Sequence, residues 1–323
     1  MKRRTFLAGG LAGGACLGLI SGSAWAQDYP TRQVRVVVPY PAGGGTDLVA
    51  RLVGPRLSER WKQTVIVDNK GGASGILGSE IVAKAPGDGY TLLIMTSAHT
   101  INPFTTKALP YDTERDFTPI TTLVQGGVAL VGSPKAGMES MDKFMAAARA
   151  NPGKYQYGTT ENTTRMIGEL FRVKSGLKID NVAYKGAGPM LQELMGGHIP
   201  VGFTPPLTAM SHHRSGTLRI LAVSSDKRLS VLPDIPTFAE AGVKGADRWA
   251  WFGLFGPGKM APTLVKRLRD DAAAVLAEPE TLAKIRDLAS EPGGEEPDVF
   301  AKRIKTELAE WKETAKEAGI EAE

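Results

Sequence analysis

Cysteine is almost missing from this chain: Cys16 is the single one in 323 residues. It lies within an apolar leader, so the segment left after leader removal is expected to hold no disulfide, no thiol nucleophile and no thiolate metal site. Histidine is scarce as well. His99 and His198 are isolated, while His212 and His213 are adjacent and would point in different directions on a helix. No H-E-x-x-H pattern or facial carboxylate pair accompanies them, so each is expected to be structural or solvent-facing and no metal site is expected. A spanning hydrophobic run is lacking too: Phe6 to Ile20 is broken by glycines and falls short of the about 20 apolar residues a membrane helix needs. The excess of positive charge is small. The formal charge of +5 includes Lys2, Arg3 and Arg4 of the leader, and without them it is +2. No clustered basic stripe is present, which excludes the usual nucleic-acid footprint.

What the N-terminus does contain is an address. Three basic residues precede the apolar stretch, and 24-AWA-26 places small residues where a signal peptidase reads. Cleavage after Ala26 and a periplasmic destination are expected. The order 3-RRTFL-7 also suits twin-arginine export, so that route and general secretion both stay open. A lipid anchor on Cys16 would need a branched apolar residue where Gly13 stands.

Glycine is plentiful, and its most informative use is in 36-VVVPYPAGGGTDLVARLV-53. An apolar strand runs into Gly43, Gly44 and Gly45 and then into a helix that Thr46 or Asp47 can cap. Such a turn presents bare amides to an anion, or is simply a tight connection. Nucleotide motifs fail on spacing. Leu48 stands where the third glycine of G-x-G-x-x-G belongs, and 253-GLFGPGKM-260 offers Met260 in place of the magnesium-binding hydroxyl. In 71-GGASG-75 Ser74 is followed at once by glycine, so the nucleophile pattern G-x-S-x-G is also missed. No cofactor is expected.

Short β-branched runs alternate with helical patterns along the chain. Val34–Pro39, Thr64–Val67, Tyr90–Thr96, Val128–Ser133, Tyr155–Gly158, Asn181–Tyr184, Val201–Thr204 and Leu218–Ser224 read as strands. Leu48–Trp61, Ser74–Lys84, Met141–Asn151, Thr164–Ser175, Pro189–Met195 and Phe238–Ala241 read as helices between them. The spacing predicts an α/β fold with parallel-rich sheets flanked by helices, and ligands of such folds lie beyond the carboxyl ends of strands. From Pro262 the chain turns helical and charged over Leu264–Ala277, Thr281–Leu288 and Asp298–Ala318, with no repeat and no flexible linker. The carboxylates are scattered, and 88-DGY-90 reads as a turn.

Several blocks in order resemble one family. The opening PYPAGGGTDLVAR, then 68-DNKGGASGILGSEIVAKAPGDGYTLL-93, 183-AYKGAGPMLQELMGGHI-199, 222-AVSSDKRLSVLPDIPTFAEAG-242 and 251-WFGLFGP-257 are similar to the Bug family, the periplasmic substrate-binding proteins of tripartite tricarboxylate transporters. The likeness runs on to the helix 307-ELAEWKETAKEAGI-320. It implies a two-domain, type II-like periplasmic binding protein that closes like a flytrap. Residues 27–127 and 249–323 would form the first domain and 128–248 the second, with crossings near 126-GGVALVG-132 and 249-WAWFGLFG-256. The partners implied are a small carboxylate and the transporter's membrane permease, with no nucleic acid, and a monomer is expected. A secreted hydrolase or isomerase on a two-lobed α/β fold is the alternative, since a triad can be assembled from distant residues.

The resemblance also implies a site: a carboxylate held in the interdomain cleft by backbone amides and small hydroxyls at helix starts, with water bridging to the glycine loop. Carried over, that loop supplies Tyr40, Ala42, Gly43, Gly44, Thr46 and Asp47, and the next strand end supplies Thr96 and Ser97. The second domain contributes Thr159, Thr160, Thr163, Thr164 and Arg165, a wall of Tyr184, Lys185, Gly186 and Ala187, and Thr204. Two positions depart from the family pattern. Relatives carry histidine in S-x-x-H-L-x-x-E-L-F where 163-TTRMIGELF-171 has Arg165, and an acid in F-D-N where 203-FTPP-206 has Thr204. Arg165 would grip a second carboxylate, or be a solvent-facing helix residue; without an acid at 204, an amino group loses a partner.

Overall fold

Strand β1 (Val34–Val38), sequence VRVVV, forms the middle of the parallel part of the first sheet, where β-branched side chains pack well. The computed structural model describes residues 29–320 and residue 322, so the expected leader and its cleavage point lie outside the described residues. Parallel to β1 run β2 (Val65–Asn69) and β3 (Thr91–Thr96), with Val36 opposite both Val67 and Leu92. Parallel neighbours need crossover helices, which α1 (Gly45–Trp61) and α2 (Ile76–Ala83) provide. On α1, Val49, Val53, Leu57 and Trp61 recur every fourth residue and are buried, one apolar stripe laid on the sheet. Helix α3 (Ala98–Thr105) follows β3. Two long strands extend the sheet antiparallel: β4 (Phe117–Gly127) pairs with β10 (Trp249–Pro257), which pairs with β3, and β11 (Glu291–Pro292) closes the edge.

The second sheet has the order β7 (Asp180–Ala183), β6 (Gln156–Thr159), β8 (Val201–Thr204), β5 (Ala129–Gly132), β9 (Arg219–Val223). β6 is parallel to β7 and β8, while β5 is antiparallel to β8 and β9. Strand alternation is visible in β5: Leu130 joins one apolar core, and Ala129 and Val131 join another on the opposite face. Helices α4 (Met141–Ala150), α5 (Asn162–Ser175), α6 (Ala187–Gly196) and α7 (Pro206–Arg214) connect the strands. Each sheet thus keeps a parallel core, as the alternation predicts, with antiparallel strands where the chain passes from one sheet to the other.

Together these form a two-domain α/β fold. The C-terminal α8 (Pro262–Ala277) and α9 (Pro279–Asp287) pack on the first sheet's side, whereas α10 (Pro297–Glu317) serves both cores. Its Phe300 and Ile304 belong to the first core, and its Trp311 and Ala315 belong to the second. Glu317 then pairs with Lys174 of α5. Phe238–Ala241, expected as a helix, is a single turn: Ala241 N–H bonds to Thr237 O at 3.0 Å and Gly242 follows at φ +87°. The sequence reading also missed β4, β10, β11, α3 and α7 as elements.

Candidate functional site

The carboxyl ends of β1, β3, β6, β7 and β8 all lead to the same place. Tyr40 follows β1, Thr96 ends β3, Thr160 and Glu161 follow β6, Lys185 and Gly186 follow β7, and Thr204 ends β8; all line one cavity of about 580 Å³. This is where ligands of strand–helix folds are expected, because each loop there delivers a helix N-terminus. A wider compartment of about 1310 Å³ adjoins it, sharing Tyr40, Pro41, Thr160, Glu161, Lys185 and Gly186 and adding Asn69, the 71–75 loop, Thr159, Arg165 and Tyr184.

The glycine turn engages its own amides and leaves the first amides of α1 without a cap. Gly43 sits at φ +80°, and its N–H bonds to Asp47 Oδ2 at 2.9 Å. The Asp47 carboxylate also takes Arg51 Nε at 2.9 Å and Asn69 Nδ2 at 3.1 Å. Burial works against its charge, but the bonds from Arg51, Gly43 and Asn69 outweigh burial and hold the carboxyl below the usual range. Asp47 therefore braces the turn from beneath and does not line the cavity. Gly44 is the N-cap of α1 and offers no side chain, so the first amides of α1 have no capping group. Gly45 packs close to the opposite wall: a Cβ there would stand 3.0 Å from Phe252 Cζ and 3.4 Å from Thr208 Oγ1. The start of α6 is similar, with Gly186 as N-cap at φ +103° and no side-chain cap.

Two hydroxyls in the wall lack partners among the described residues. Thr204 Oγ1 and Thr208 Oγ1 are buried, at 0% and 8% exposure of the residues, with no hydrogen bond. Burying an unpaired hydroxyl is unfavourable, which marks both as groups awaiting a partner. Across the cavity, Tyr40 Oη and Thr96 Oγ1 are 2.9 Å apart. Burial, and then the charge of Glu161, push the Tyr40 hydroxyl well above its ordinary range, so it meets a ligand as a neutral phenol.

The start of α5 is organised differently. Glu161 is its N-cap: Thr163 N–H donates to Oε2 at 2.8 Å, Thr164 N–H donates to Oε1 at 3.1 Å, and Thr96 Oγ1 reaches Oε2 at 3.4 Å. Thr164 Oγ1 answers by accepting Glu161 N–H at 3.2 Å and Thr160 N–H at 3.0 Å. Burial raises the Glu161 carboxyl pKa, and the amide and side chain of Thr163, the Thr164 amide and Thr96 work against that rise. Sequence reasoning missed this residue, although a carboxylate ahead of a helical pattern is a recognisable capping signal.

Of the residues expected at the site, Tyr40, Ala42, Gly44, Thr46, Thr96, Thr160, Gly186, Ala187 and Thr204 line the smaller compartment. Thr159, Arg165 and Tyr184 line the wider one. Gly43, Asp47, Ser97, Thr163 and Thr164 line neither, for local reasons. Gly43 and Asp47 bond each other, Ser97 Oγ is taken by Trp251 N–H at 3.0 Å, and the amides of Thr163 and Thr164 are taken by Glu161. Lys185, expected in the same wall as Gly186, lines both compartments, and Pro205, Thr208 and Phe252 join the smaller one without having been expected there.

No group of three or more metal-ligating side chains occurs among the described residues. His99 lies in the core between Phe117 and Phe255, and burial lowers its pKa to about 4. His213 Nδ1 accepts Ile220 N–H at 3.2 Å.

Residues 49–320 match the tripartite tricarboxylate transporter family receptor. Protein BugT of Bordetella pertussis is 30% identical over 298 residues, covering 91% of each chain. Among solved structures, R. palustris Rpa4515 with adipate is 34% identical with a TM-score of 0.88, covering 91% of this chain and 100% of that one. MatC of Rhodopseudomonas palustris, with bound malate, is 26% identical with a TM-score of 0.80, covering 88% of this chain and 99% of that one. The chain belongs to the tripartite tricarboxylate transporter receptor family, whose members are periplasmic solute-binding proteins.

Proposed function

We propose that this receptor captures a small organic carboxylate between its two lobes, with di- or aromatic carboxylates favoured, and delivers it to the membrane permease of a tripartite tricarboxylate transporter. The observation that carries this reading is the cavity where the uncapped starts of α1 and α6 meet the partnerless hydroxyls of Thr204 and Thr208. Those groups offer hydrogen-bond donors and positive dipole ends without a fixed countercharge, which suits a carboxylate. In the wider compartment Arg165 would take a second carboxylate, and Tyr40 or Tyr184 would cover an aromatic ring.

On this reading the chain is exported, cut after Ala26, and works as a monomer in the periplasm. The lobes are residues 27–127 with 249–323, and residues 128–248. They hinge where β4 passes into β5 and where the chain returns to β10, while α10 follows the first lobe and packs on both. Two strand crossings restrict the motion to a hinge.

The test is a thermal-shift series over mono-, di- and aromatic carboxylates with the soluble protein, paired with mass spectrometry of the ligand afterwards. A receptor gains stability in proportion to occupancy and returns the ligand unchanged. Conversion of the ligand would instead support a hydrolase or isomerase. With Arg165→Ala, dicarboxylates should lose more affinity than monocarboxylates; an unchanged ratio would place Arg165 outside the site.

A further inference from the structure

Four helix starts, those of α1, α5, α6 and α7, surround the cleft, and one of them is already occupied. The N-caps of α1 and α6 are glycines, whereas α5 begins with Glu161, whose carboxylate is bonded to the amides of Thr163 and Thr164. The same carboxylate lines both compartments of the cleft. We propose that Glu161 is a specificity-determining residue: it fills the anion position at the start of α5 with the chain's own carboxylate, and so selects a ligand whose part facing Glu161 carries a hydrogen-bond donor, a hydroxyl or an ammonium, and not a carboxylate. This rests on the carboxylate-receptor reading above and refines it.

The geometry gives the reason. A ligand carboxylate approaching the amides of Thr163 and Thr164 would meet a like charge and donors already engaged, whereas a second carboxylate in the wider compartment is left to Arg165. The carboxylate of Glu161 has about four lone-pair positions, of which the two amides and the long contact to Thr96 fill three. The cavity that Glu161 lines can supply a further donor. The ligand's own carboxylate is directed to the starts of α1 and α6, where Thr204 and Thr208 supply unpaired hydroxyls. A donor placed next to a carboxylate, as in a hydroxy acid, can satisfy both ends at once.

The experiment is an amide-resolved NMR titration of the ¹⁵N-labelled protein with acetate, succinate and malate. In the wild type, acetate is expected to cause saturable shifts at Gly45, Thr46, Ala187 and Gly188 and none at Thr163 or Thr164. Malate should bind about tenfold or more tighter than succinate, the worth of a hydrogen bond to a charged group. In Glu161→Ala, acetate should move Thr163 and Thr164 saturably, because the vacated amides recover an anion. In Glu161→Gln, which keeps the cap's shape, succinate should gain on malate as the repulsion goes. Saturable acetate shifts at Thr163 and Thr164 in the wild type would overturn the proposal. So would a folded Glu161→Ala protein whose Thr163 and Thr164 ignore acetate, or a malate preference that Glu161→Gln leaves intact. Silence of every wild-type amide with all three probes would count against the receptor reading alone, and the Glu161→Ala titration would still decide the role of Glu161. If Glu161→Ala does not fold, the wild-type and Glu161→Gln arms decide.

Discussion

Adding one methyl group at Gly45 should separate binding from folding. Gly45 is the first residue of α1 and is absent from the glycines with positive φ, so alanine can adopt its backbone. The new Cβ would stand 3.0 Å and 3.3 Å from Phe252 ring carbons and 3.4 Å from Thr208 Oγ1. Contacts of 3.0 Å require the ring to yield by a few tenths of an ångström, and alanine's higher helix propensity offsets part of that cost. The net change in stability should stay within about 1 kcal/mol. Binding is another matter. The methyl occupies the gap between the start of α1, Thr208 and Phe252, where the carboxylate is placed. Loss of one charge-assisted hydrogen bond amounts to about 1.5–3 kcal/mol, or roughly a ten- to hundredfold weaker Kd. Gly54→Ala, in the same helix, is the control. Its Cβ would meet Val67 and Val65 methyls at 3.6 and 3.7 Å, ordinary contact far from the cleft. That variant should gain up to about 1 kcal/mol in stability with unchanged affinity. Calorimetric titration with a carboxylate that binds the wild type, beside thermal unfolding of all three proteins, reads both quantities. A folded Gly45→Ala protein with wild-type affinity would refute the placement of the carboxylate at α1.

Thr208→Val should keep or raise the stability of the empty protein, since it removes a buried hydroxyl without a partner, yet weaken carboxylate binding by about 1–3 kcal/mol; equal affinity would free Thr208 from the site. Asp47→Asn should loosen the glycine turn and lower both stability and affinity. Because the Asp47 carboxyl lies below its ordinary 3.8 in the folded state, its contribution is present above that pH and lost as pH falls through the folded value, so acid unfolding of the variant should be less steep than that of the wild type. Glu307 behaves in the opposite sense. Burial raises its pKa from 4.5 to about 7, while Trp251 Nε1 and Thr100 Oγ1 hydrogen-bond to it. The folded state retains a proton that the unfolded chain releases between those values, so stability falls as pH rises through that window. Glu307→Gln should therefore be the more stable protein at pH 8, by at most about 3 kcal/mol, with the gap closing near pH 5. Denaturant unfolding at the two pH values checks it, and a gap independent of pH would show that Glu307 is not protonated in the fold.

Much of the fold was legible because most elements carry one buried face. β8 was read with its observed ends, and the α1 stripe of Val49, Val53, Leu57 and Trp61 is periodic enough to mark a helix without any structure. The elements that escaped lack such contrast. In α3, Ala98 to Asn102 are all buried and Pro103 lies inside the helix, so periodicity is absent and a breaker is present. In α7, the pair Pro205 and Pro206 looks like a break, but a proline at the first helical position is a start signal. In β4, Pro119 and two terminal glycines hide an eleven-residue strand whose pairing with β10 only tertiary structure supplies. The cleft followed the same rule. Positions at strand ends, such as Tyr40, Thr96 and Thr204, were expected from the family resemblance, whereas Thr208 and Phe252 reach it from elements that went unread.

The start of α5 was misread for a reason that applies more widely. The run 159-TTENTT-164 offers small hydroxyls and amides, which suit a bound anion and a helix cap equally. Composition cannot decide between the two uses, but connectivity can. A carboxylate carried on the N-cap residue meets the first amides without the association cost that a dissolved solute must overcome. The chain's own acid therefore wins, and Thr164 completes the cap by returning its hydroxyl to Glu161 N–H. Gly44 and Gly186 bring no competing group, so the amides behind them stay open to a ligand. On the proposed reading, the caps that carry no side chain are where the solute's carboxylate binds, and the cap that carries a carboxylate is where that charge is refused.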